Sequence, residues 1–166
     1  MKKIILSALV MLNSLFHGCA AQTPKFYDEA PTSFGYSYSG TMAFPIQWYE
    51  VDRDKDGTVR LSYSHDTNDI TIYKAPDDLL EKIGAIARDS KLYKLKSHYD
   101  PPFEVLDGYG WHINIIYPGD SIWSGGTNAW PREDYLNGGI SSILSLLHGL
   151  VEAAAPEDII GTSTHH

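Results

Sequence analysis

Cysteine is nearly absent. The 166-residue chain holds only Cys19, so no internal disulfide can brace the fold and apolar packing has to hold it. Basic charge is also scarce, at 13 Lys and Arg against 21 Asp and Glu, a net charge of −8. Such a surface repels nucleic acid and anionic lipid, which argues against either as a partner. Long apolar runs are missing beyond the N-terminus. Even there, Ile4 to Phe16 falls short of the roughly 20 residues that a spanning helix needs. No Gly-x-Ser-x-Gly elbow and no His-x-x-x-His pair occurs, so neither a serine hydrolase nor a zinc site is written as a motif, and no cofactor is implied.

What the N-terminus does contain is ordered by purpose. Lys2 and Lys3, the apolar run and the small residues after it have the three-part layout of a secretory signal, here residues 1–18. Cys19 follows Gly18, with Leu15 close upstream, and this resembles the lipobox of bacterial lipoproteins. The resemblance implies acylation of Cys19 and a protein tethered in the cell envelope, its only membrane contact an N-terminal lipid anchor. Cleavage after Ala21, giving a soluble periplasmic or secreted chain, is the alternative. Residues 19–32 carry Pro24 and Pro31 without periodicity and read as a tether. About 120 residues, 33–155, suit one domain, and 156–166 read as a flexible tail.

Within that domain the hydrophobic period changes twice. "SFGYSYSG", "IQWYEV", "TVRLSYS" and "ITIY" alternate or form short apolar runs, as strands do. From Pro76, Leu79, Leu80, Ile83, Ile86 and Ala87 fall on one helical stripe, with Pro76, Asp77 and Asp78 in its first turn. "WHINIIY" and "SIWSGG" are two strands joined by Pro118, Gly119 and Asp120. A second stripe follows in Ile140, Ile143, Leu144, Leu147, Leu150 and Val151. The order predicts an α+β fold, an antiparallel β-sheet with two amphipathic helices packed on one face and a partly solvated opposite face.

"SYSGTMAFPIQWYEVDRDKDGTVRL" and "LDGYGWHINIIYPGDSIWSGGTNAWP" together resemble a group of bacterial secreted or lipoprotein domains of no established activity. These pair a Gly-turn hairpin with DG-x-x-W and GG-x-N-A-x-P signatures. Here the signatures are Asp107, Gly108 and Trp111, then Gly125, Gly126, Asn128, Ala129 and Pro131. The resemblance spans about Phe34 to Val151. It implies this fold and export, and no catalytic residue.

Three groups of residues are candidates for function. Asp52, Asp54, Asp56 and Gly57 match the start of a calcium loop, but Tyr63 stands where the closing carboxylate belongs and both flanks are strands. A hairpin turn is the simpler reading and weak calcium binding the alternative. Trp111, Trp123, Gly125, Gly126, Asn128 and Trp130 could present flat apolar faces and an amide to a glycan or protein partner. The same residues also suit a turn and core tryptophans. Last, His98 with Asp100, or His112 with Asp107, could form the acid–base pair of a small envelope hydrolase, converging on Asn128. A non-catalytic binding domain is the expectation, since no full catalytic set is present.

Overall fold

The computed structural model describes residues 25–40, 46–103, 105 and 108–165. The expected signal of residues 1–18, Cys19 and Asp107 lie outside them. The fold is α+β, built on an eight-stranded, mostly antiparallel sheet. In chain order the strands are β1 (Ser33–Ser39), β2 (Gln47–Arg53), β3 (Val59–His65), β4 (Asp69–Lys74), β5 (His98–Tyr99), β6 (Gly110–Tyr117), β7 (Asp120–Thr127) and β8 (Ile159–Thr164). Across the sheet they run β5-β7-β6-β1-β2-β3-β4-β8, which puts β1 in the middle, paired with β2 and β6. Helix α1 (Leu79–Asp89) follows β4. A short helix α2 (Glu133–Tyr135), a π-helical turn (Leu136–Ile140) and α3 (Ser141–Ala153) follow β7. Among the described residues no helix is long and apolar enough to cross a membrane.

Strand alternation decides what is buried. Phe34 and Tyr36 of β1 point the same way as Tyr49 and Val51 of β2, Leu61 of β3, Ile113 and Ile115 of β6 and Ile122 of β7. These join Leu79, Leu80, Ile83 and Ala87 of α1 and Ile140, Ile143 and Leu147 at and beyond the π turn in one buried cluster. Both sequence stripes supply those residues, as a 3.6-residue period requires. The alternate strand positions hold Ser, Gly, Trp48, Glu50, His112 and Asn114.

Two segments differ from the sequence expectation. Residues 25–32 are not a free tether. Lys25–Asp28 form a 3₁₀ turn that buries Tyr27 against Tyr93 and Tyr117, at ring-centroid distances of 5.1 and 5.0 Å. Arg88 donates to the Tyr27 carbonyl, and Pro31 packs where Gly84 has no Cβ, which would sit 2.7 Å from the proline ring. Two adjacent aromatics, Phe26 and Tyr27, in a polar stretch gave no periodicity to read. Of the expected flexible tail 156–166, the described residues 156–165 are likewise ordered into the sheet. Pro156–Asp158 make a 3₁₀ turn and β8 extends the sheet along β4, its backbone hydrogen bonds compensating for a sequence of mostly exposed side chains.

The docking of residues 25–31 is testable. Truncating a buried aromatic side chain costs about 3 to 5 kcal/mol. Tyr27→Ala should therefore lower the denaturant midpoint by an amount equal to at least about 2 kcal/mol, with an unchanged m-value. A change within 0.5 kcal/mol, the range of ordinary surface substitutions, would show that the segment is a tether after all.

Candidate functional site

The Asp cluster is the tip of the β2–β3 hairpin. Arg60 takes both oxygens of Asp52 at 2.8 and 2.9 Å and one of Asp54 at 3.1 Å, while Asp56 accepts from the Thr58 amide at 2.9 Å. That last bond holds the Asp56 carboxyl below its ordinary range. Gly57 has φ +91°, the left-handed geometry a tight turn asks of glycine. The carboxylates are thus turned toward Arg60 and the turn backbone. Among the described residues no group of three or more potential metal ligands comes together.

The GG-x-N-A-x-P signature is a lock on Trp111. The Trp111 indole donates to the Ala129 carbonyl at 2.7 Å, and Trp130 stacks on its ring at 5.4 Å and 10°. Gly126 makes this possible, because a Cβ there would lie 2.4 Å from the Ala129 oxygen and 2.8 Å from the indole nitrogen. Asn128, at φ +49°, accepts from the Tyr109 amide at 2.9 Å through its side chain, and its own backbone amide donates to the Tyr109 carbonyl. Gly108 leaves room for it, since an added Cβ would overlap the Asn128 amide. Tyr38 and Tyr109 extend the stack, leaving Trp130 41% exposed at its rim.

Trp123 stands apart from this group. It occupies an alternate position of β7 on the opposite sheet face, is 53% exposed, and meets the His112 ring edge-on at 4.5 Å. The six residues that the sequence grouped as one patch therefore fall on two faces. Trp111, Gly126 and Trp130 lie with the core, and Trp123 and Gly125 on the other side. The row through Gly125 runs His98, Gly125, His112, Ser37, Trp48, Ser64 from β5 to β3.

That face holds a cleft of about 140 Å³ lined by Gly35, Ser37, Trp48, His112 and Asn114, with Tyr36 at its base. Trp48 is backed by His165, whose ring is edge-on at 5.0 Å and is fixed by a 2.9 Å hydrogen bond to Ser64. The C-terminal strand thus positions a cleft residue. Among the described residues His112 Nε2 is buried without a hydrogen-bond partner, and burial lowers the His112 pKa. A larger recess of about 550 Å³ is lined by Asp89, Lys91, Lys94, Arg132, Asp134 and Tyr135, of which Arg132 holds Asp134 at 2.6 Å.

Asp107, the sequence partner of His112, lies outside the described residues, and His98 shares the outward row with His112. His98 pairs with Asp100 at 3.1 Å at an exposed edge, His112 has no ion pair among the described residues, and Asn128 is committed to Tyr109. Sequence reasoning missed Gly35, Ser37, Trp48 and Asn114 as site residues. The available signal was the Ser and Gly half of the β1 alternation, meaningful only once β2 and β6 are known to flank it. No family model and no curated protein matches the chain.

The state of His112 gives a pH test. With the folded pKa below the unfolded value of about 6.5, the unfolded chain takes up the proton first, so this site removes stability as pH falls below about 6.5. NMR titration should place His112 below 6.5 and return it toward 6.5 in Trp123→Ala, which uncovers the ring. A wild-type value at or above 6.5 would contradict the burial.

Proposed function

We propose that the chain is a non-catalytic domain of the bacterial cell envelope that binds a protein or glycan partner through the free face of its sheet. In this reading α1 and α3 both pack on the other face, and lipid on Cys19 tethers the domain to a membrane. Kinship with the secreted domains that share its DG-x-x-W and GG-x-N-A-x-P signatures belongs to the same proposal.

One observation carries it. The free face combines a half-exposed Trp123, a cleft walled by Trp48 and His112, and polar side chains without a packing role. An exposed tryptophan beside a concave polar surface is what recognition sites use, because the ring supplies large contact area at low entropic cost. The remaining candidate residues build the Trp111 lock and have structural work of their own.

The test uses the processed, full-length protein isolated with its envelope fraction, alongside the Trp48→Ala, Trp123→Ala double variant. The wild type should retain an envelope component that the folded double variant loses, and mass analysis should give an acylated Cys19 at the N-terminus. Equal retention by both would remove this face from the account. An unmodified Gln22 at the N-terminus would remove the lipid anchor.

A further inference from the structure

Gly35 is a glycine that the fold does not require. It lies mid-strand in β1 in unbroken register with Glu50 on one side and Asn114 on the other, and a Cβ built on it meets nothing within 4 Å. Gly84, Gly125 and Gly126, by contrast, each have an atom within 3 Å of that position. A glycine inside a strand weakens it and marks a bulge, a bend or a close approach by another molecule. The regular register removes the bulge, and the open space above leaves the approach.

The surroundings give that approach a chemistry. Gly35 and Ser37 floor the cleft, with Trp48 of β2 on one lip and His112 and Asn114 of β6 on the other, and Glu50 of β2 is the strand partner of Gly35. The lips stand two strand spacings apart, about 9.5 Å between backbones. Among the described residues Ser37, Glu50 and Asn114 spend no side-chain hydrogen bond, and His112, whose buried Nε2 has none there either, lies beside the exposed ring of Trp123. The cleft therefore offers the Trp48 indole, with Trp123 next to His112, together with uncommitted donors and acceptors.

We infer that this cleft binds a ring of an uncharged saccharide, an assignment that rests on the free-face reading above. Indole faces pack on the apolar face of a sugar ring, while its hydroxyls can donate to Glu50 and Ser37 and exchange both kinds of hydrogen bond with Asn114. Charge argues against an anionic ligand: Glu50 and Asp52 edge the site, and the neighbouring Arg60 is already taken by Asp52 and Asp54. An extended peptide binds by adding to a free sheet edge, whereas β1 is paired along both sides.

The experiment titrates the mature domain with two named probes, the tetramer of N-acetylglucosamine and the tetramer of glucose, following the tryptophan indole NMR signals. At least one probe should shift Trp48 and Trp123 saturably and leave Trp111 unmoved. Gly35→Leu places a side chain in open space and removes a strand-weakening glycine, so it should leave the melting temperature at or above the wild-type value and weaken binding at least tenfold. No saturable shift with either probe at millimolar concentration overturns the inference, as does undiminished binding by Gly35→Leu. If the sugars fail while an envelope component still depends on Trp48 and Trp123, the saccharide assignment falls and the free-face reading stands. The reverse result, sugar binding with no retained component, removes the partner and keeps the site.

Discussion

The two-sided pairing of β1 is the constraint on which the rest depends. A strand's side chains alternate, so fixing β1 between β2 and β6 fixes which half of every central strand meets the core. Phe34 and Tyr36 go inward and carry Tyr49, Val51, Ile113 and Ile115 with them. Ser33, Gly35 and Ser37 go outward and bring Trp48, Glu50, His112 and Asn114 to the same side. A slip of β1 by one residue would turn Phe34 and Tyr36 to the solvent face and Ser33, Gly35 and Ser37 to the core. The core thus enforces the register, and the register assembles the cleft.

The glycine-rich signature and the cleft have opposite explanations although strand β6 serves both. Gly126, Asn128 and Ala129 are explained inside the molecule: each allows or makes a contact that holds the Trp111 indole, and Trp130 closes over it. Gly35 has no such internal account. Tryptophans split in the same way, since Trp111 is committed to the core through its only donor, while Trp123 spends its area on solvent and one imidazole edge.

Much of the fold was legible in the sequence because it rests on local periodicity. The α1 stripe from Leu79 to Ala87, the alternation of β1 to β3 and the Asp56-Gly57 turn each depend on neighbours a few residues away. Tyr27 and β8 were not legible, because their burial and pairing are made with partners far along the chain: Tyr93 and Tyr117 in one case, β4 in the other. The candidate site was half legible. Trp123 declares itself as an aromatic at an outward strand position, but Trp48, Ser37 and Asn114 become neighbours only through the β2-β1-β6 order, and Trp48 is steadied by His165 from the last described residue.

The central claim is that the sheet buries one set of alternate side chains and leaves the other, with Trp123, at the surface. Hydroxyl-radical footprinting read by mass spectrometry tests it directly, because oxidation rates of aromatic side chains follow their exposure. The expected result is rapid labelling of Trp123, intermediate labelling of Trp130, and protection of Trp111, Tyr49 and Tyr27. Protection of Trp123 together with labelling of Tyr27 or Tyr49 at a similar rate to Trp130 would contradict the account.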